Sequence, residues 1–355
     1  MTLSAQAARL APALIAWHAH SGRHDLPWQQ ERTPYRVWVS EIMLQQTQVS
    51  TAIGYYQRFM QRFPVLADLA AAPVDEVLHL WTGLGYYSRA RNLHRTAQLI
   101  VSEHGGEFPR EFEAVVALPG IGRSTAAAIL ALSCDLRHAI LDGNVRRVLA
   151  RYFAVAGAPN ERSVEQRLWE LAEAATPQRD VAVYTQAIMD LGATVCTRAN
   201  PTCLLCPSAA DCAAHAQGRE NELPEPRRRA ARRAKSVVVL LAQNAGGELL
   251  LTRRPARGIW GGLWSPPEFT DAEALQQYAQ QWLAAPHAPE PLAPLTHAFT
   301  HFDLTLQPLR VRCTGPAGVL EGEDTLWYNR ARPQRVGLPA PIVKLIEQLP
   351  SEHTP

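Results

Sequence analysis

The chain has 355 residues, room for two or three hydrophobic cores, and its 47% apolar and 19% charged content excludes a disordered or fibrous protein. Lys and Arg number 35 against 33 Asp and Glu, so a net charge of +2 neither demands nor excludes a polyanionic partner. No apolar run approaches the roughly 18 residues that cross a bilayer, and Leu10 to Trp17, lacking a basic leader and a clean cleavage site, reads as an amphipathic helix of a cytosolic protein.

From Ala5 to about Cys212 apolar residues recur at three and four, with breaks at proline, glycine or Asp/Asn, which predicts an all-α region. The spacing gives helices over Val37 to Phe59, Val74 to Leu80, Ser88 to Glu103, Thr125 to Leu132, Val145 to Val155, Val164 to Ala174 and Val181 to Leu191. Between Ala213 and Lys235 the texture turns polar and proline-bearing, and six of the nine positions from Arg227 to Lys235 are Arg or Lys, a basic linker. Beyond it β patterning takes over: Ser236 to Ala242 and Glu248 to Thr252 flank Ala245-Gly246-Gly247, a hairpin turn. A helix at Ala272 to Ala284, a strand pair near Phe302 to Val311 and a terminal helix at Pro341 to Leu349 complete an α+β module. The boundaries so read are 1–218 for the helical domain, 219–235 for the linker and 236–355 for the second domain.

Leu118-Pro119-Gly120-Ile121-Gly122-Arg123-Ser124-Thr125 is a two-glycine turn opening an Ala-rich run. Its glycines let bare N–H groups approach an anion, and the helix that follows adds unpaired donors and a positive dipole end, so a phosphate fits there. Twenty residues past Gly122 a carboxylate, Asp142, stands in Leu141-Asp142-Gly143-Asn144. Cys196, Cys203, Cys206 and Cys212 follow, spaced by six, two and five intervening positions. With no secretory signal, a bound metal explains four close thiols better than disulfides do. Zinc accepts four thiolates, but the long outer spacings favour a loop wound around an iron–sulfur cube. Cys134 and Cys313 sit in apolar contexts and read as small core residues.

Together with Ser40-Glu41-Ile42-Met43-Leu44-Gln45-Gln46-Thr47-Gln48-Val49 and Leu84-Gly85-Tyr86-Tyr87-Ser88-Arg89-Ala90-Arg91-Asn92-Leu93, these motifs resemble the helix-hairpin-helix DNA glycosylases, and within them the MutY type. The resemblance runs in order from about Leu14 to Cys212, and Gly258-Ile259-Trp260-Gly261-Gly262-Leu263-Trp264 resembles the MutT-like (Nudix-like) domain that follows in that family. It implies an all-α glycosylase domain with an iron–sulfur loop, then an α+β Nudix-like domain, and one [4Fe-4S] cluster on the four cysteines. The implied substrate is double-stranded DNA bearing adenine opposite oxidised guanine or guanine, handled by a cytoplasmic monomer that is nucleoid-associated if the source is bacterial.

The implied chemistry breaks a bond to a sugar carbon through an oxocarbenium-like transition state, which calls for one protonated and one ionised carboxyl group. By resemblance Glu41 is the acid and Asp142 the stabiliser, with Asn144 an orienting neighbour. Gln46 and Tyr86 are the implied wedges for the gap left by a flipped base. Trp28 is a wall of the adenine pocket, and Gly120, Gly122 and Ser124 are phosphate-binding amides, with Arg123, Arg89 and Arg91 adding salt-sensitive affinity. Relatives of the endonuclease III type carry a lysine at position 124, whose amine forms an imine; Ser124 cannot, which implies a glycosylase that leaves the strand intact. Phe299-Thr300-His301 matches the loop that detects oxidised guanine. Downstream of Trp264 the glutamate-rich, magnesium-binding helix of a pyrophosphatase is missing, so this module reads as a recognition domain. Competing readings are an endonuclease III-like lyase, a redox-sensing DNA-binding protein without catalysis, and a nucleotide pyrophosphatase.

Overall fold

The computed structural model describes residues 2–226, 232–317 and 324–349; positions 227–231 of the expected linker, Arg227 to Arg229 among them, lie outside the described residues. Backbone contacts divide the chain into two units, Met1–Ala71 with Asn92–Arg229, and Ala72–Arg91 with Ala230–Pro355.

The first unit is helical. Its elements are α1 (Leu3–Ser21), α2 (Pro34–Leu44), α3 (Val49–Arg62) and α4 (Leu66–Ala71); α5 (Val74–Leu80) lies in the second unit, and α6 (Ser88–Glu103) leads back. Then come α7 (Phe112–Ala117), α8 (Arg123–Cys134), α9 (Gly143–Tyr152), α10 (Arg162–Ala175), α11 (Val181–Thr194) and the short α12 (Ala213–Ala216). Starts are marked by side-chain caps: Thr2 accepts from the Ala5 N–H, Thr33 from Arg36 and Asp142 from Val145. Leu10 and Leu14 of α1, Val148 and Leu149 of α9, Leu168 of α10 and Ile188 of α11 share one core. Truncating any such leucine would cost ~2–5 kcal/mol.

The single helix expected over Val37 to Phe59 is two. Gln46 takes a left-handed backbone (φ 58°), which ends α2, and α3 restarts at Val49. The apolar period resumes in phase after the break, so periodicity alone could not show it. Between α7 and α8, Gly120 has φ 79°, and a Cβ there would stand 2.8 Å from the Asn92 Cβ. Only glycine makes that turn without strain.

The second unit is built on a mixed sheet of order β10-β2-β1-β8-β6. β1 (Arg233–Gln243) and β8 (Phe302–Arg312) run parallel from Arg233 opposite Phe302 to Gln243 opposite Arg312. β2 (Leu249–Arg253) pairs antiparallel with β1 and with β10 (Thr325–Tyr328); β3 (Trp264–Ser265) joins β2, and β4 (Glu268–Phe269) joins β1. β5 (Leu283–Ala284) pairs with β9 (Gly315–Pro316), while β6 (Glu290–Pro291) and β7 (Leu295–Ala298) pair with β8. The strand pair expected near Phe302 to Val311 is thus one long strand, and its hairpin partner is β7 upstream. The β1–β2 turn forms as read: Asn244 Oδ1 accepts from Gly246 and Glu248, and Gly247 is left-handed. α13 (Ala272–Trp282) places Leu275 and Ala279 on Val238, Leu240, Ala242 and Val311, and α14 (Ala340–Gln348) ends the described chain.

Ala72–Arg91 is stitched to this unit. Arg253 pairs with Asp75 at 2.9 Å, the Trp264 indole donates to Asp75, the Tyr87 hydroxyl donates to the Leu338 carbonyl at 2.9 Å, and the Leu338 N–H donates to Thr82. Among the described residues no helix is long and apolar enough to cross a membrane.

Candidate active site

A cavity of about 310 Å³ in the first unit is lined by Glu41 of α2, Asp142 and Asn144 at the start of α9, Ser124 of α8, Trp28, Arg23 and Gln186. The structure therefore brings both expected carboxylates, the expected pocket tryptophan and the position-124 hydroxyl to one wall system. Burial first, and the Asp142 carboxylate second, push the Glu41 carboxyl up to about 8. Asp142 is also pushed up by burial, but the N–H groups of Val145 and Asn144 and the Arg147 and Arg146 guanidiniums pull against it. The Asp142 charge thus helps Glu41 keep its proton.

Asp142 owes its position to local structure. As the cap of α9 its Oδ1 accepts from the Val145 N–H at 2.7 Å, and the Leu141 N–H just before it donates to Ser124 Oγ at 2.9 Å. Asn144 is held in turn: Arg147 Nη2 donates to its Oδ1 at 2.8 Å and to the Gly192 carbonyl at 2.6 Å. α11 approaches so closely that a Cβ on Gly192 would lie 2.6 Å from the Asn144 Cβ.

Trp28 is buried and meets Tyr56 edge-on at 5.4 Å. Gln46 is exposed on its left-handed turn. In the second unit Tyr86 is likewise left-handed (φ 48°) and 47% exposed, so both expected wedges are displayed on unusual backbone. Tyr87, by contrast, is a core residue. Gly122 caps α8 with exposed backbone, leaving the first-turn N–H groups of that helix facing outward. Arg123 is otherwise engaged: its guanidinium lies 3.8 Å over the Trp169 ring and pairs with Glu173 at 3.2 Å. Arg89 is buried and donates to the Leu84 and Gly85 carbonyls, and Arg91 donates to the Gly261 carbonyl, so these two serve structure.

Sequence reasoning missed Arg23 and Gln186. Both converge on Asp190, fully buried in α11: Arg23 Nη2 at 2.6 Å, Gln186 Nε2 at 2.9 Å. Burial raises the Asp190 carboxyl, yet hydrogen bonds from His18 and Arg23 outweigh it and hold it below its ordinary range. The signal was a lone carboxylate inside Met189-Asp190-Leu191.

In the second unit Phe299-Thr300-His301 forms the β7–β8 turn. Phe299 stacks on Phe302 at 4.5 Å, Thr300 and His301 are exposed, and the Thr300 hydroxyl lies 3.3 Å from the Tyr86 hydroxyl. α13 carries Glu273 in its first turn, and Glu268 is taken by Arg254. Among the described residues no group of three metal-capable donors occurs in this unit.

The four cysteines line one small cavity with Arg151, His215 and Glu220, and none is in a disulfide. Backbone N–H groups point at two of them, from Ser208 to Cys206 and from Ala214 and His215 to Cys212, and Arg151 Nη1 donates to Cys196 Sγ at 3.3 Å. Burial pushes the Cys206 thiol up to about 11, with the neighbouring sulfurs adding to the rise. Four sulfurs that repel one another when charged, three of them facing N–H donors, suit a shared cationic centre. The arrangement fits a metal cluster. Cys313 is buried as expected, while Cys134 is half-buried beside Ser133.

The model of the HhH-GPD superfamily base excision DNA repair proteins matches residues 39–174, and that of the NUDIX domain matches 238–348. Adenine DNA glycosylase of Buchnera aphidicola subsp. Acyrthosiphon pisum is 36% identical over 337 residues, 94% of this chain and 95% of that protein. The Rattus norvegicus adenine DNA glycosylase is 38% identical over 358 residues, 83% of this chain and 68% of the rat protein. Of solved structures, a thermostable thymine-DNA glycosylase aligns with a TM-score of 0.55 at 27% identity, covering 60% of this chain and 98% of its own. A non-covalent endonuclease III–DNA complex aligns at 0.52 and 19% identity, covering 61% and 99%, a likeness of fold. Two family models matched in order and this identity along almost the whole length mean that the chain belongs to the MutY-type adenine DNA glycosylases, DNA-binding enzymes of base excision repair that act on N-glycosyl bonds.

Proposed function

We propose that this enzyme flips adenine out of duplex DNA where it stands opposite 8-oxoguanine or guanine and releases it by hydrolysis, leaving an abasic site in an intact strand. The observation that carries the reading is the shared cavity in which burial keeps the proton on Glu41 while the Val145 and Asn144 N–H groups and the Arg147 and Arg146 guanidiniums offset part of the burial that raises Asp142. Glu41 gives that proton to the departing base, and Asp142 faces the nascent sugar cation. The carboxylate left on Glu41 can then take a proton from the incoming water. Asn144 and Arg147 orient the start of α9, and Trp28 walls the pocket.

Hydrolysis without strand cleavage is supported by the absence of any lysine from the cavity lining; Ser124 spends its oxygen on the Leu141 N–H. Gly120, Gly122 and Ser124 offer backbone to phosphate, Gln46 and Tyr86 serve as wedges, and Phe299-Thr300-His301 reads the oxidised guanine through the Thr300 hydroxyl. Arg123 joins the DNA only by exchanging Glu173 for a phosphate. In this division residues 1–218 excise and residues 236–355 recognise the mispair, joined by the basic stretch 219–235, in a cytoplasmic monomer, nucleoid-associated if the source is bacterial.

Cys196, Cys203, Cys206 and Cys212 would hold one [4Fe-4S] cluster, which supplies a rigid, charged tether for the surrounding loop. Arg151 and Arg147 tie that loop to α9 through Cys196. The test is incubation with duplexes carrying a single adenine opposite 8-oxoguanine, guanine or thymine, scored for strand breaks before and after alkali. Breaks only after alkali, and only for the first two duplexes, are expected; breaks without alkali or heat would overturn the monofunctional reading.

A further inference from the structure

The cysteine cavity holds two donors beyond its four thiols. The Cys203 thiol, one ring nitrogen of His215 and a carboxylate oxygen of Glu220 all lie within 4.8 Å of one another. His215 Nδ1 is 3.7 Å from Glu220 Oε1, and Glu220 Oε2 is buried with no hydrogen-bond partner, an acceptor still lacking its donor. Cys203 also differs from its neighbours. Cys196, Cys206 and Cys212 pack against the helical core, whereas Cys203 does not; it opens the turn whose next residues, Leu204 and Leu205, are 95% and 67% exposed.

Resting on the four-thiolate reading above, we propose that His215, oriented by Glu220, is a reserve ligand that can replace Cys203 on one iron of the cluster. The exchange forms an Fe–N bond and breaks an Fe–S bond; the departing thiolate takes a proton from water and no electron moves. A His215 ring nitrogen lies within 4.8 Å of the Cys203 sulfur, so movement of the ring into the place that the thiolate leaves exchanges one donor for the other. Imidazole is the nitrogen donor that replaces thiolate on iron–sulfur centres, and it raises their potential because one negative charge is lost. A carboxylate behind the ring fixes its tautomer and basicity, the part open to Glu220. Among the described residues His215 and Glu220 form a mutual group of donors with Cys203 and with no other cysteine.

The test is chemical analysis and spectroscopy of the full chain purified without oxygen. Cys203→Ala and Cys203→Ser are each expected to retain iron and acid-labile sulfide at the level of the unmodified protein. After reduction, both should show a nitrogen hyperfine coupling that is absent from the unmodified protein and changes on 15N-histidine labelling. His215→Ala alone should leave iron and sulfide unchanged, while Cys203→Ala with His215→Ala, and Cys206→Ala alone, should lose the cluster. Loss of the cluster from both Cys203 variants, or its retention without the nitrogen coupling, would overturn the proposal. Absence of iron and sulfide from the unmodified protein would instead overturn the four-thiolate reading, and the reserve ligand with it.

Discussion

Glu41 is the residue on which the chemistry turns, and its environment makes two measurements diverge in a known direction. Its proton is present below about 8 and lost above, so single-turnover adenine release should fall as pH rises through that value. Glu41→Gln should reduce release by ~10²–10⁴-fold while duplex affinity, measured by fluorescence anisotropy, stays near the unmodified value. In the variant, stability moves opposite to activity. Between the ordinary glutamate value of about 4.5 and about 8 the folded chain binds one proton more than the unfolded one, so the unmodified protein loses stability as pH climbs through this window. Glutamine carries no charge to bury. Thermal melts should therefore show Glu41→Gln gaining on the unmodified protein from pH 6 to pH 9, and parallel melting curves across that range would contradict a buried protonated acid. The resemblance singled out Glu41 as the acid, but local pattern did not: a glutamate among Ile42, Met43 and Leu44 reads sooner as a solvated helix charge until the tertiary cavity is seen. The pairing of Arg23 with Asp190 was hidden for the same reason, since Arg23 lies 167 residues away in the chain.

α9 connects two chemistries. Asp142 caps its start, and one turn apart on its length Arg147 and Arg151 reach the cysteine loop, Arg147 Nε to the Cys196 carbonyl at 2.7 Å and Arg151 Nη1 to the Thr197 carbonyl at 2.6 Å. Arg147→Met removes the donors to Asn144, Gly192 and Cys196 together, and hydrogen bonds from a charged group are each worth ~1.5–3 kcal/mol. The expected outcome is a ~10–100-fold slower single-turnover release with the iron content kept, which corresponds to ~1.4–2.8 kcal/mol in the barrier; an unchanged rate would mean that the cap alone fixes Asp142. The α7–α8 turn acts on binding instead. Gly120→Ala combines a left-handed backbone with a clash on Asn92, so duplex affinity should weaken for matched and mispaired DNA alike, with a shallower salt dependence. Elements of this kind were largely readable: Val74–Leu80 and Ser88–Glu103 have the very bounds their apolar spacing predicts. The break at Gln46 was not, because a positive φ at a non-glycine residue leaves no trace in hydrophobic period.

At the scale of the whole molecule, composition changed where the chain leaves its helices for strands, but the unit boundary is not a single cut in sequence. Ala72–Arg91 precedes the α7–α8 turn in the chain yet belongs by its contacts with Ala230–Pro355. Sequence texture assigned it to the helical half because α5 is a helix; its partners Arg253, Trp264 and Leu338 lie more than 160 residues away and no local pattern announces them. A chain ending at residue 226 would therefore strip this segment of its ion pair at Asp75 and its bonds at Thr82 and Tyr87, and would uncover Leu78, now 1% exposed. Local opening free energy follows such contacts, so the cost should stay local. Hydrogen exchange read by mass spectrometry should show faster exchange across residues 72–91 in the shortened chain, with α8 and α9 as protected as before. Equal protection of 72–91 in both chains would mean that the helical unit alone orders this segment, and uniform deprotection would mean that the two units fold as one.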